Sequence, residues 1–138
     1  MNKSSFALAS YKFDHLLLDM DQQESKDIDI AFEPYGLFKE DENSIFNLTF
    51  IFKAFNKNVE SPFIKLRCIA EFKFEGRLTF EEIPNYFYVN SIAILFPYVR
   101  AFVSTITLQA NIIPPILLPT WNLESLAEPL KMNTKFDK

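Results

Sequence analysis

Apolar residues recur at every second position over two stretches of the chain. Phe46, Leu48, Phe50, Phe52 and Ala54 fall on one side, with Asn47, Thr49, Ile51 and Lys53 between them. Ile64, Leu66, Cys68, Ala70, Phe72 and Phe74 alternate in the same way with Lys65, Arg67, Ile69, Glu71, Lys73 and Glu75. A period of two is that of a strand with one packed and one wetter face. The polar run Asn56-Lys57-Asn58 sits between the two and predicts an antiparallel hairpin. Ile28, Ile30 and Phe32, set among Asp27, Asp29 and Ala31, predict another half-buried strand. Leu8 to Leu18 is extended too, with Tyr11, Phe13, Leu16, Leu17 and Leu18, but its alternation is imperfect. Asp21 to Ser25 reads as a turn. Residues 33–43, with Pro34, Gly36 and a Lys-Glu-Asp-Glu run, read as a solvated loop carrying Tyr35, Leu37 and Phe38.

After these strands the period changes. Thr79 to Ile83 predicts one helical turn, because Thr79 and Glu82 stand at capping-box spacing. Pro84 stops it. Asn85-Tyr86-Phe87-Tyr88 is an aromatic lead into a long helix, roughly Val89 to Ala110, which Asn111 ends. On a helical wheel Ile92, Leu95, Phe96, Val99, Phe102, Val103, Ile106 and Ala110 make one apolar arc, suited to a sheet. Ile94, Tyr98, Ala101, Thr105 and Leu108 form a second seam with the spacing of helix-on-helix packing. A neighbouring subunit is the simplest cover for it; the other cover is the chain's own last helix and connector. Pro97 inside the helix predicts a kink or a helix start nearby. Arg100 lies at the flank between the stripes. A last helix, capped by Asn122, turns Leu123, Leu126, Ala127 and Leu130 inward. Residues 1–7 and 131–138 are expected to be loose termini. No repeat or internal boundary is visible, so residues 1–138 read as a single domain. Strands first and helices second predict an α+β fold with helices on one face of an antiparallel sheet.

Composition sharpens this picture. Phe accounts for 16 of 138 residues and Gly for only 2. So many large apolar side chains exceed what a two-layer domain usually hides, which sends some of them to a subunit interface or a groove; a Phe-rich core is the simpler reading. A net charge of −4 opposes nucleic-acid binding. Scarce Gly excludes glycine-rich phosphate loops and dinucleotide fingerprints. The single Cys fits a reducing compartment. Phe6 to Ala9 is too short for a signal-peptide core. No stretch is expected to span a membrane, since Arg100 interrupts the best candidate. A cytoplasmic protein is expected. His15 lacks metal-ligand neighbours, and Cys68 falls on an apolar face where a thiol is usually inert. No nucleophile, zinc or cofactor motif is present. The expectation is a binding protein that is not an enzyme and needs no cofactor.

One segment carries a specific likeness. Ile94-Leu95-Phe96-Pro97-Tyr98-Val99-Arg100 resembles the Leu-Phe-Pro-Tyr-Ala-Arg signature of the SecB protein-export chaperones. Pro114, Pro115, Leu117, Leu118, Pro119, Asn122 and Leu126 fall where that family has its Phe-Pro…Leu…Pro-x-Asn-Phe-x-x-Leu segment. Upstream, residues 11–19, 27–32, 44–55 and 63–76 resemble its four strands. The resemblance implies a four-stranded antiparallel sheet with a long and a short C-terminal helix packed on one face, and a dimer of dimers with the long helices sandwiched between sheets. It implies a cytosolic, ATP-independent holdase for unfolded or precursor polypeptides, with apolar grooves for clients. By position, Tyr35, Leu37, Phe38, Tyr86, Phe87, Ile116, Leu118, Trp121, Leu126 and Leu130 would line the groove. Ile94, Tyr98, Ala101, Thr105 and Leu108 would form the oligomer interface. In the family an acidic tail and an acidic sheet surface dock a translocation ATPase. Here the tail, Lys131 to Lys138, is basic, and only Asp14 and Asp19 suggest an acidic patch. The alternative is a SecB-like partner dedicated to one client, such as an antitoxin.

Overall fold

The two regular alternations form the centre of a sheet. In the computed structural model, which describes residues 5–19, 28–41, 43–112, 116–118 and 123–137, they are β3 (Ile45–Asn56) and β4 (Ile64–Phe74). Burial alternates without a break along β3, and the even-numbered side is fully buried from Phe46 to Ala54. Asn58 takes a left-handed φ of 65° in the connecting turn, a conformation Asn tolerates. β1 (Phe6–Leu18) and β2 (Ile28–Lys39) flank this hairpin, and β5 (Thr134–Asp137) extends the far side. The strand order is β1-β4-β3-β2-β5. All neighbours are antiparallel except β2 and β5, which run parallel. α1 (Asn85–Gln109) and α2 (Ala127–Met132) complete the fold; a 3-10 turn at Phe80–Glu82 precedes α1 and another at Leu123–Leu126 leads into α2. The class is α+β as expected, but the sheet has five strands and is mixed.

Four boundaries differ from the sequence reading, each for a physical reason. β2 does not end at Phe32 but runs through Pro34 to Lys39. Gly36, of the same parity as Pro34, points its N–H away from β3, towards Asn133 O. The Pro34 nitrogen therefore faces the edge, where the missing donor costs no ladder bond. Residues 131–137 are ordered rather than frayed, because α2 continues to Met132 and β5 pairs with Gly36–Lys39. At the other end Phe6 already belongs to β1 and packs its ring on Phe87 at 4.7 Å. α1 starts at Asn85, so the aromatic lead is its own first turn. No helix starts near Pro97. The helix continues through it, and both Pro97 and Ala93, whose carbonyl loses its partner, are solvent-exposed.

α1 lies along β1. Phe6 meets Phe87, Tyr11 meets Tyr98, and Phe13 meets Phe102, at centroid distances of 4.7, 4.4 and 4.2 Å. Seven strand residues and fifteen helix residues both span about 23 Å, which is why the pairs stay in step. The Phe excess is mostly absorbed here, a correction to the expectation that it overflows to a surface. Phe38, Phe46, Phe50, Phe52, Phe63, Phe72, Phe74, Phe87 and Phe96 are all buried. Phe87 is the hub, with Phe6, Phe46, Phe72 and Phe74 around it. Of the sixteen phenylalanines only Phe136 is exposed. The membrane expectation also needs correction: α1 is long and apolar enough, by length and composition, to cross a bilayer. Its inner face, from Phe87 through Ile92, Leu95 and Val99 to Val103, is instead packed in the core.

Ile116, after α1, is anchored by a buried hydroxyl. Thr107, fully buried, donates to Val103 O and accepts the Ile116 N–H at 3.0 Å. Asn111 ends α1 in a left-handed conformation, φ 62°.

Candidate functional site

Two regions each present exposed apolar side chains. The first lies along α1 and β1. Ile94, Tyr98 and Leu108 are exposed on the outer side of the helix, and Ala101 and Thr105 stand exposed between them. Tyr11 and Leu16 of β1 add to this surface. In register they pair with Ala70 and Leu66, so they point to the helix side of the sheet. Tyr11 and Tyr98 stack with an interplanar angle of 30° while each remains about 40% exposed. β1 is also an edge strand, with one row of backbone groups unpaired by the sheet.

The second region is the β2/β5 end. The turn between β2 and β3 builds its platform. Ser44 Oγ accepts the Leu78 N–H at 3.0 Å, and Glu40 Oε2 accepts the Phe80 N–H at 3.3 Å. The Thr79 N–H donates to Glu82 Oε1, so the sequence-predicted turn forms with its capping contact. Phe80 is thereby held against Phe136 of β5, with ring planes 14° apart and centroids at 4.6 Å. Beside them a pocket of about 630 Å³ is lined by Phe80, Pro84, Asn85, Tyr88, Lys131 and Phe136, among others. Lys131 Nζ donates to Asn85 Oδ1 at 2.9 Å and lies 5.9 Å from the Tyr88 ring centroid.

The sequence-derived groove residues do not converge on one surface. Tyr35 and Leu37 are 41% and 40% exposed, but they lie on the sheet face opposite the helices. Phe38 is on the helix side and fully buried. Tyr86 is exposed on the first turn of α1, whereas Phe87 is buried in the aromatic hub. Ile116, Leu118 and Leu130 belong to the core, and Leu126 packs against it half-buried. Trp121, Asn122, Pro114, Pro115, Pro119 and the turn at 21–25 lie outside the described residues. The burial of Phe38, Phe87, Ile116, Leu118 and Leu130 removes them as open groove walls in the single chain. All five residues of the second helical stripe, in contrast, are exposed. Tyr11, Leu16, Phe80 and Phe136, which belong to the two regions, are not among the sequence-derived positions. The parity of Tyr11 and Leu16 is hidden by irregular pairing between Leu8 and Ser10 and between Phe13 and His15.

Charged groups are paired across the face away from the helices. Arg67 reaches Asp14 with two bonds, Nε to Oδ1 at 2.8 Å and Nη2 to Oδ2 at 3.0 Å. The hydrogen bond from Arg67 holds the Asp14 carboxyl below its usual range. Lys53 and Glu33 pair at 2.7 Å, and Tyr35 Oη donates to Glu33 Oε1 at 3.1 Å. The bond from Lys53 lowers Glu33, and the bond to Glu33 raises the Tyr35 phenol. Burial pushes the Cys68 thiol up to about 12 and the Tyr88 phenol likewise to about 12. His15 pairs in register with Arg67, one residue from Cys68, so His15 and Cys68 occupy opposite faces and cannot act together. Among the described residues no group of three or more His, Cys, Asp or Glu is placed to hold a metal ion. The arrangement offers apolar surface and strand edge, the materials of polypeptide contact.

No family model matches the chain. An uncharacterized protein of Methanocaldococcus jannaschii is 50% identical over 46 residues, 33% of this chain; the match spans only 29% of that relative's length. In structure the chain is similar to a SecB-like chaperone of Mycobacterium tuberculosis, solved in complex with a ChAD peptide from the HigA1 antitoxin. The TM-score is 0.68 at 19% identity, covering 85% of this chain and 88% of the other. The fold is therefore SecB-like.

Proposed function

We propose that this protein is a SecB-like chaperone: an ATP-independent holdase that binds unfolded or precursor polypeptides through apolar surface in the cytoplasm. The observation that carries this reading is the fold, shared over 85% of the chain with a chaperone solved holding a peptide. The surface is consistent with it. Tyr35, Leu37, Tyr86 and Phe136 are large apolar side chains left open away from the Ile94–Leu108 stripe. Apolar contacts and edge hydrogen bonds accept many sequences, and several weak contacts along one client gain strength through avidity.

The exposed helical stripe from Ile94 to Leu108 serves, on this reading, as the seam between copies in a dimer of dimers. Export-linked delivery to a translocation ATPase has less support. Asp14 is engaged by Arg67, and Thr134–Asp137 is built into the sheet. A second reading, a partner dedicated to one client such as an antitoxin, is favoured by the antitoxin peptide held by the structural neighbour. The two are separated by diluting several unrelated unfolded proteins from denaturant without nucleotide. A holdase suppresses the light scattering of most of them; a dedicated partner suppresses none.

A further inference from the structure

We propose that the β2 edge at Gly36–Lys39, together with the platform of Phe80 and the adjoining pocket, is an acceptor for an extended polypeptide segment. The segment it fits carries an aromatic side chain two residues after a small hydroxyl residue. β5 is its resident, exchangeable occupant. The inference rests on the polypeptide-binding reading above and names where and how a segment adds.

β5 is held mainly by contacts that another chain could make. Its ladder is a parallel one: Gly36 N–H donates to Asn133 O at 3.2 Å, and Glu40 N–H donates to Asp137 O at 2.8 Å. Backbone pairing of this kind is how extended peptides add to sheet edges. Two side chains set the preference. Thr134 lies against Gly36, where any Cβ would run into Thr134 Oγ1 and the Phe46 ring. Only a glycine leaves that space. Thr134 Oγ1 donates to Leu130 O at 2.6 Å. Two residues on, Phe136 stacks on Phe80.

The Phe80 platform does not depend on the occupant, although Phe136 lines part of the pocket. Phe80 is positioned by Glu40 and by the Ser44–Leu78 bond, all outside β5. The occupant, by contrast, is weakly committed. β5 has four residues, three of them exposed, and Phe136 is 43% exposed where every other phenylalanine is better covered. The pocket beside Phe136 has room for a larger ring. A short, half-open strand over a preformed platform is the geometry of an internal competitor, which lowers the apparent affinity of an incoming segment by the fraction of time it is seated.

The probe is a fluorescein-labelled peptide, Lys-Met-Asn-Thr-Lys-Phe-Asp-Lys, with binding read by anisotropy. The variant Phe136→Ser should bind it about tenfold or more tightly than the unaltered protein, as removal of a seated competitor requires. Adding Phe80→Ser should erase that gain. Equal affinity for both proteins, or a gain that survives Phe80→Ser, overturns the proposal. Hydrogen exchange on the unaltered protein gives a second reading. The Glu40 amide should exchange at least about a hundredfold faster than β3 amides through local opening; equal protection overturns exchange of β5. Neither experiment uses a client, so its failure is distinct from a failure to suppress aggregation.

Discussion

The two flanks of the sheet are finished differently. On one side β1 is a thirteen-residue edge strand braced from Phe6 to Phe13 by aromatic pairs to α1. Tyr11 and Leu16 are exposed on its helix side, and Tyr11 joins the exposed helical stripe by stacking on Tyr98. On the other side β2 is covered over Gly36–Lys39 by a four-residue strand and a single aromatic stack. The first flank is long and backed by core; the second is short and lightly held. Rigid apolar faces suit permanent contacts between copies, and lightly covered edges suit segments that come and go. The proposed division of labour follows: the β1/α1 flank assembles, and the β2/β5 flank exchanges.

The largest expected effect probes how firmly the β1 flank stays shut. Cys68 lies opposite Phe13 in the ladder, and its thiol is pushed up to about 12. Relative to the ordinary thiol value of 9.0, its thiolate fraction at pH 8 is lower by about a thousandfold. Iodoacetamide should therefore label native protein very slowly and unfolded protein at once. Rapid labelling of the native protein contradicts a closed β1 flank.

The core shared by both flanks comes next. Phe87→Ala should cost about 3–5 kcal/mol in denaturant unfolding, because the ring is wholly buried among four phenylalanines. A loss below about 1 kcal/mol would mean that the hub is not the keystone of the packing.

Tyr98→Lys with Leu108→Lys separates assembly from folding on the β1/α1 flank. Both residues are exposed, so folding stability should move by no more than about 1 kcal/mol in total. Mass by light scattering should fall to that of a smaller species. An unchanged mass would detach the helical stripe from assembly.

The smallest effect concerns the charged face. Asp14 and Glu33 both have lowered folded-state pKa values, so the folded protein binds fewer protons there than the unfolded chain. Their contribution is present above the unfolded values and is lost as pH falls below about 4. Both pairs are open to solvent, so the loss is small. Asp14→Asn with Glu33→Gln should flatten the fall in melting temperature between pH 5 and 3; an unchanged slope would show that neither pair contributes.

The legible parts of the sequence were those where one period held without interruption. β3 and β4 followed from strict alternation, and the helical stripes from positions 94 to 108. Pro34 misled because it reads as a loop signal, whereas at a sheet edge it is silent. Residues 134–137 misled because four residues carry no measurable period; their order comes from β2, 95 or more positions away. The groove residues are spread over both faces of the sheet for a related reason. Tyr35 and Leu37 are separated from Phe38 by the thickness of the sheet, which only a strand assignment reveals. Burial of Phe87 beside exposed Tyr86 likewise needed the axis of α1, not its composition.

The most direct measurement is light scattering from three unrelated proteins diluted from denaturant, without nucleotide, at increasing ratios of this protein. Suppression of all three at near-stoichiometric ratios is the expected result. Unaltered aggregation of every one at several-fold molar excess would contradict the account of a polypeptide-holding chaperone.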